Sequence, residues 1–213
     1  MKNNVQRYNE YMTYERSNTI CTIQEQYGDH RMKRHHCFLE VTAGCTHHKC
    51  KFCTLYDDIP FQFKMSPMED IEADLQEVKG QFRLWNDNKV TRTFLVGANP
   101  FVLKATRLLQ IASLIQKYFP TNKNIGCFSR ITDIALKTDE ELLKLSKAGY
   151  DGLTIGIETG DDDALKFMNK GYEAKDIITQ CKRLDNVGIT YNFFYLNRNI
   201  GHRERRTRCK RYR

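Results

Sequence analysis

Three cysteines within nine residues carry the most distinctive chemistry of this 213-residue sequence. They lie in the segment Gly44-Cys45-Thr-His-His-Lys-Cys50-Lys-Phe-Cys53, close enough along the chain to ligate one metal centre. A structural zinc ion takes four protein ligands, so His47 or His48 would have to supply the fourth, and the sequence has no second pair of ligands typical of such sites. A cubane iron–sulfur cluster normally takes four thiolates. With three thiolates, its fourth iron would stay open to an external ligand.

The remaining cysteines and the overall composition are those of a reduced, globular chain. With 40% hydrophobic and 28% charged residues, the sequence fits one domain with a sizeable core. It contains no apolar leader and no run long enough to span a membrane, so we expect a cytoplasmic protein with reduced thiols and no membrane partner. The scattered cysteines are interpreted as small buried hydrophobes or incidental thiols: Cys21, Cys37, Cys127, Cys181 and Cys209.

The net charge of +8 is concentrated at one end of the chain. Residues 198–213 contain eight basic residues and one acid, which leaves about +1 for the other 197 residues. A basic tail of this kind can bind a phosphate backbone, so one hypothesis is a zinc-stabilised nucleic-acid-binding protein. Because Tyr212 is the only aromatic residue in the tail and the rest of the chain has no basic bias, we expect no nucleic-acid partner.

Strands and helices alternate in the predicted secondary structure. A strand over Cys37–Ala43 ends at Gly44, so the cysteine segment follows it directly. The other predicted strands are Thr93–Val96, Ile125–Phe128, Gly152–Glu158 and Ile189–Leu196, and the helices start at Ser66-Pro67 or span Leu103–Tyr118, Thr138–Gly149, Ala164–Met168 and Glu173–Leu184. This alternation predicts an α/β fold with a parallel sheet, either a barrel or a doubly wound sheet.

Polar and glycine-rich segments follow four of the predicted strands. In both candidate folds, ligands bind at the carboxyl ends of the strands. After the cysteines, these ends carry Gly97-Ala-Asn-Pro100, Ser129-Arg130 and Glu158-Thr-Gly160. Four such loops at one edge of the sheet predict a functional site there.

The cysteine segment resembles the signature of the radical S-adenosylmethionine (radical SAM) superfamily. That signature is C-x3-C-x2-C after the first strand, with an aromatic residue before the third cysteine. Here Phe52 is the aromatic residue, and the first gap has four residues, Thr46 to Lys49. The resemblance implies a partial (β/α)6 TIM-like barrel with parallel strands over residues 36–196. It also implies a [4Fe–4S] cluster on Cys45, Cys50 and Cys53 that binds S-adenosylmethionine through its fourth iron.

The resemblance also implies contacts to S-adenosylmethionine. The segment Gly97, Ala98 and Asn99 occupies the place of the family's Gly-Gly-Glu-Pro motif, which holds the methionyl amino group. Glu158 is expected near the ribose, Arg130 near the methionyl carboxylate and Phe52 near the adenine. Simpler alternatives are a strand-end ion pair with a lysine for Glu158, a turn residue for Asn99 and a surface ion pair for Arg130.

The function implied is reductive cleavage of S-adenosylmethionine to a 5′-deoxyadenosyl radical, which abstracts hydrogen from an unknown substrate. An electron donor such as flavodoxin or ferredoxin is the implied partner. Residues 1–35 are interpreted as an N-terminal extension. We expect residues 197–213 to be a disordered basic tail that replaces the last βα unit of the barrel, as a truncation or frameshift would produce.

Overall fold

Parallel strands and helices alternate along the computed structural model, which describes residues 36–84 and 90–196. The strands are β1 (His36–Glu40), β2 (Thr42–Gly44), β3 (Phe63–Met65), β4 (Arg92–Val96), β5 (Asn124–Ser129), β6 (Tyr150–Glu158) and β7 (Tyr191–Tyr195). The helices are α1 (Met68–Leu84), α2 (Ala105–Tyr118), α3 (Ile131–Ala135), α4 (Asp139–Lys147), α5 (Asp162–Phe167) and α6 (Ala174–Val187). A short 3-10 helix spans Pro100–Val102.

Five strands form one parallel sheet in the order β1-β4-β5-β6-β7. Each strand pairs with the next strand of this sheet along the chain, so the winding never reverses direction. A doubly wound sheet would contain a switch point where the strand order reverses. Continuous winding is the arrangement of a TIM-type barrel. The predicted α/β fold with a partial barrel is therefore confirmed.

The first predicted strand is wrong in one respect, because Cys37–Ala43 divides into two strands that belong to different sheets. β1 ends at Glu40, and β2 pairs antiparallel with β3 in a separate two-stranded sheet. Between them, Val41 donates its N–H to the Val96 carbonyl oxygen at 3.3 Å and accepts from the Ser66 N–H at 3.0 Å. The chain that contains the cysteines thus leaves from β2 and returns through β3.

The two faces of the parallel sheet have different side chains. One face packs on the helices and forms the hydrophobic core, with fully buried residues such as Leu39, Leu95, Ile125, Leu153 and Ile155. The opposite face carries a row of phenylalanine rings, whose successive centroids lie 6.2, 5.0 and 6.2 Å apart: Phe38, Phe94, Phe128 and Phe194. The helices therefore cover only one face of the described sheet.

Other predicted boundaries shift by a few residues. β6 begins at Tyr150 instead of Gly152, and the short α3, which was not predicted, follows β5 directly. Residues 1–35 and 197–213 lie outside the described residues, and so do the expectations of an N-terminal extension, a disordered tail and a missing last βα unit. No helix in the described ranges is long and apolar enough to cross a membrane.

Candidate functional site

The cysteine loop, defined as residues 45–62, connects β2 to β3. Hydrogen bonds hold its base closed: the Cys45 N–H donates to the Gln62 carbonyl oxygen at 2.9 Å, and the Gln62 amide donates to the Thr46 carbonyl oxygen at 3.1 Å. A tight turn forms where the Cys53 N–H donates to the Cys50 carbonyl oxygen at 3.1 Å. These bonds fix the backbone at all three predicted cluster ligands.

The middle of the cysteine loop packs on the segment that follows α5. The Lys51 N–H donates to the Met168 carbonyl oxygen at 3.1 Å, and His47 Nε2 donates to the Asn169 carbonyl oxygen at 2.6 Å. In the other direction, the Asn169 amide donates to the Lys49 carbonyl oxygen at 2.9 Å. Asn169 has a φ of +57°, a left-handed conformation that asparagine tolerates better than most residues. Strand β6 and α5 thus position the loop from the far side of the site.

The three thiols lie in one electrostatic environment. Burial raises the pKa of the Cys50 thiol, the nearby Lys170 and Arg130 cations lower it, and the neighbouring Cys45 and Cys53 raise it further. Three thiolates would repel one another without compensation. The two cations offset part of that repulsion, while burial keeps the pKa of the Cys50 thiol raised.

Lys170 and Glu158 form a buried ion pair at the carboxyl end of β6. Lys170 Nζ lies 3.2 Å from Glu158 Oε1, and the two side chains are only 4% and 12% exposed. Lys170 Nζ also donates to the Gly156 carbonyl oxygen at 2.9 Å and lies 5.7 Å from the ring centroids of both Phe52 and Tyr172. The alternative of a strand-end carboxylate paired with a lysine is therefore present in the structure, and it places Glu158 beside Phe52.

Glu158 adopts a backbone conformation that is uncommon for its residue type. Its φ is +65°, in the left-handed region, where a non-glycine residue is held only by its surroundings. Such residues concentrate at functional sites, because the surrounding structure must keep them there. At this residue the Leu196 N–H donates to the Glu158 carbonyl oxygen at 3.1 Å, and the ion pair with Lys170 holds the side chain.

Arg130 contacts the segment after α5, which also contains Lys170. Its guanidinium donates to the Lys170 carbonyl oxygen at 2.5 Å, and its backbone N–H donates to Asp133 Oδ2 at 2.8 Å. Arg130 therefore caps the start of α3 with its backbone, while its side chain reaches the segment after α5. The charge of Arg130 lowers the pKa of the nearby Cys50 thiol, against the larger effect of burial.

The Asn99 side chain is completely buried, and its amide nitrogen donates hydrogen bonds to two other residues. Nδ2 donates to Thr46 Oγ1 at 2.8 Å and lies 3.2 and 3.1 Å from the two carboxylate oxygens of Asp133. Its Oδ1 accepts only one long bond, 3.4 Å, from the Thr46 N–H. Asn99 also begins the 3-10 turn, since its carbonyl oxygen accepts from the Val102 N–H at 3.0 Å. It is therefore a turn residue whose Oδ1 retains accepting capacity.

Gly97 and Ala98 bring the backbone close to β2. Gly97 has a φ of +130°, and a Cβ there would overlap Thr42 Oγ1 and lie 2.5 Å from the Thr42 carbonyl oxygen. Only glycine fits this position. The absent side chain therefore lets the segment after β4 pack directly on Thr42 of β2.

The histidines of the loop make other contacts. His48 Nε2 donates to Asp57 Oδ1 at 3.1 Å, while His47 bonds to Asn169 as described. In the described part of the chain, no three cysteine, histidine, aspartate or glutamate side chains are close enough to hold a single metal ion. The roles of the three cysteines and of both histidines in metal binding remain predictions.

Two residues of the site were not singled out from the sequence. Asp133 is buried and Tyr172 is partly buried, and their bonded partners Asn99 and Gly156 lie 34 and 16 positions away along the chain, so neither residue gives a local signal for the contact. Asp133 does have one local signal, since it lies three residues after Arg130, the spacing of a helix N-terminal carboxylate.

A partial α/β barrel with three cysteines on the loop between β2 and β3 is typical of cofactor-binding enzymes, and comparison with known proteins identifies the family. The Radical SAM superfamily matches residues 39–205, and the chain belongs to it. Its members use a [4Fe–4S] cluster and S-adenosylmethionine. The predicted class, radical SAM enzyme, and the predicted pair of cofactors are thereby confirmed.

Individual relatives are distant. The heme chaperone HemW of Buchnera aphidicola subsp. Schizaphis graminum is 23% identical over 147 residues, which cover 68% of this chain and 38% of the relative. The cobalamin-dependent S-adenosylmethionine radical enzyme OxsB, solved with aqua-cobalamin and S-adenosylmethionine bound, has a TM-score of 0.60 at 20% identity, covering 74% of this chain and 23% of OxsB.

The radical S-adenosylmethionine methyltransferase TsrM from Kitasatospora setae, solved with cobalamin and a [4Fe–4S] cluster, has a TM-score of 0.53 at 13% identity. That match covers 73% of this chain and 30% of TsrM. At these identities the structural likeness shows the fold. The chain spans only about two fifths of the length of the HemW relative.

Proposed function

We propose that Cys45, Cys50 and Cys53 hold a [4Fe–4S] cluster with one open iron and that the chain uses it to cleave S-adenosylmethionine. When bound and reduced, this cofactor pair supplies a 5′-deoxyadenosyl radical that removes a hydrogen atom from a substrate. The observation that supports the proposal is the placement of three thiols on one anchored loop, beside the Lys170 and Arg130 cations.

The neighbouring strand ends supply contacts for S-adenosylmethionine in this proposal. The turn formed by Gly97, Ala98 and Asn99 is the proposed binding site of the methionyl ammonium. Because the Asn99 side chain is completely buried here, its Oδ1 accepts the ammonium in place of the long 3.4 Å bond from the Thr46 N–H, which requires Thr46 to move. The Glu158 carboxylate accepts from the ribose hydroxyls. Its second oxygen is available for this contact, because the ion pair with Lys170 uses Oε1.

Two further side chains complete the proposed cofactor site. Phe52 lies on the loop between Cys50 and Cys53 and offers its half-exposed ring to the adenine. Arg130 offers guanidinium N–H groups to the methionyl carboxylate, for which its planar fork is well suited. Together these residues orient the sulfonium of S-adenosylmethionine towards the cysteine loop and exclude water from it.

Anaerobic reconstitution with iron and sulfide tests the proposal. The wild-type chain should become brown and hold about four irons. Cys45→Ala, Cys50→Ala and Cys53→Ala should each abolish the colour, whereas Cys127→Ala and Cys181→Ala, which remove buried thiols elsewhere in the fold, should keep it. Loss of colour in both groups of variants, or one zinc and no iron in the wild type, would contradict the cluster assignment.

Binding of S-adenosylmethionine is tested separately. Its addition should change the EPR spectrum of the reduced cluster, and this change should be smaller in Glu158→Ala. An unchanged wild-type spectrum would contradict a cofactor site in this chain. We further propose a cytoplasmic protein that receives its electron from a flavodoxin or ferredoxin and acts on a substrate of unspecified class. The zinc-stabilised nucleic-acid-binding alternative is not favoured by the family match.

A further inference from the structure

Asp133 is a carboxylate that lies beneath the cysteine loop almost without contact to solvent. Its exposed fraction is 1%, and that of its partner Asn99 is 0%. Burial raises the pKa of Asp133, while hydrogen bonds from Arg130 and Asn99 lower it. Burying a charge usually adds little net stability, because desolvation offsets the attraction to its partners. A gain in stability therefore does not explain why this carboxylate is buried.

The contacts of Asp133 lead directly to the cysteine loop. Asp133 Oδ2 accepts from the Arg130 N–H at 2.8 Å, and the carboxylate accepts from Asn99 Nδ2 at 3.1 Å. The same Nδ2 donates to Thr46 Oγ1 at 2.8 Å, and the Thr46 N–H returns to Asn99 Oδ1. Asn99 is thus held between Asp133 in the first turn of α3 and Thr46 in the cysteine loop.

Thr46 immediately follows Cys45, whose own N–H is bonded to Gln62. We propose that Asp133 is a positioning residue for the cysteine loop, which acts through Asn99 and Thr46 to fix the backbone beside Cys45 and so the place of the first metal-binding thiol. This inference rests on the proposed function, in which that thiol binds a metal centre. Residues that orient metal ligands typically change metal affinity about 10- to 100-fold when they are replaced.

The charge of Asp133 sets the direction of the whole chain of hydrogen bonds. A carboxylate only accepts, so the NH₂ end of the Asn99 amide must face it, and the oxygen end then faces the Thr46 N–H. Asp133→Asn can keep the bond to Arg130, but its own NH₂ then stands about 3.2 Å from that of Asn99. Asn99 Nδ2 then keeps only the 3.1 Å contact with the Oδ2 position, which the Arg130 N–H shares, while the two NH₂ groups repel, and this loosens Asn99 and Thr46.

Two matched comparisons isolate the effect of this hydrogen-bond direction. The exchange Asn99→Asp with Asp133→Asn reverses donor and acceptor and restores a bonded pair, so it should rescue the single substitution. Thr46→Val removes the hydroxyl that Asn99 contacts, and Thr46→Ser keeps it. Both Thr46 variants leave the buried carboxylate in place, so they test the same connection even if Asp133→Asn destabilises the domain.

Hydrogen exchange of residues 45–53 in the metal-free full chain measures the loop directly. We expect exchange roughly tenfold faster in Asp133→Asn and Thr46→Val than in the wild type, and near-wild-type rates in Thr46→Ser and in the exchanged pair. Exchange in β5 and β6 should stay unchanged in Thr46→Val. Wild-type loop exchange in both Asp133→Asn and Thr46→Val would overturn the proposal, and so would uniform acceleration across the sheet in Thr46→Val.

Extraction of iron by a chelator provides the second measurement. It should be about 10- to 100-fold faster in Asp133→Asn and Thr46→Val than in the wild type. Equal extraction rates would overturn the positioning role. If the wild type takes up no iron, the proposed function fails, while the hydrogen-exchange result, which needs no metal, still decides the role of Asp133.

Discussion

The buried ion pair between Lys170 and Glu158 allows a quantitative test of how the site is held. Lys170→Met preserves the length of the side chain and its packing against Phe52 and Tyr172, but it removes the cation. The Glu158 carboxylate, 12% exposed, is then left without its partner. Removing one member of a buried pair costs about 3–5 kcal/mol, because an uncompensated charge remains in a poorly solvated place.

That loss is large enough to measure by urea denaturation of the metal-free chain. For a chain of this length it corresponds to a fall in melting temperature of roughly 6–20 °C. The exposed pair Lys117–Glu72, whose side chains are 63% and 34% exposed, provides the control. Lys117→Met should change the free energy of unfolding far less than Lys170→Met does, because solvent screens the exposed pair.

A second substitution separates charge from packing. Glu158→Gln in the Lys170→Met background removes the orphaned charge, so the double variant should be at least about 1 kcal/mol more stable than Lys170→Met alone. A double variant no more stable than the single one would refute the argument, because the loss would then come from packing. Equal losses for Lys170→Met and Lys117→Met would refute it as well.

Two other predictions follow from the described residues. Burial lowers the pKa of Lys137 to about 8, so between about pH 8 and 10.5 the unfolded chain binds more protons at this residue than the native one. Relative to Lys137→Met, the wild type should therefore gain up to about 3 kcal/mol of stability over that range in urea titrations; a constant difference would contradict the lowered pKa. Gly97→Ala should prevent folding or strongly destabilise the chain, whereas Gly160→Ala, which meets open space, should have little effect on the melting temperature. Similar melting temperatures for the two alanine variants would show that the approach to Thr42 is unimportant.

The parts of the fold that were predicted correctly depend on local patterns. Buried runs bounded by glycine predicted the parallel strands, and the pattern of apolar residues with Ser66-Pro67 at its start predicted α1. The pairing of β2 with β3 was missed, because each strand has three residues and only a hydrogen-bonding partner 20 or so residues away defines it. Local periodicity contains no signal for such a short pairing.

The sequence predicted two kinds of site residue: those in the cysteine motif and those that directly follow a strand. The strand-end positions of Asn99, Arg130 and Glu158 follow from the order of the elements. The contact between Asn99 and Asp133 joins residues 34 positions apart, and the bond between His47 and Asn169 spans 122. Such contacts depend on how the barrel closes around its carboxyl edge, which one sequence does not specify.

The structure also accounts for the fourth residue in the first gap of the cysteine motif. Each of the four residues between Cys45 and Cys50 makes a hydrogen bond outside the gap: Thr46 with Asn99, His47 with Asn169, His48 with Asp57 and Lys49 with Asn169. His48 has a φ of +44°, so the chain turns at this residue. Thr46 is thereby attached to the turn after β4, His47 and Lys49 are attached to the segment after α5, and His48 bonds within the cysteine loop itself. The longer gap is therefore not a looser loop, since its residues are bonded to two separate parts of the fold, the turn after β4 and the segment after α5.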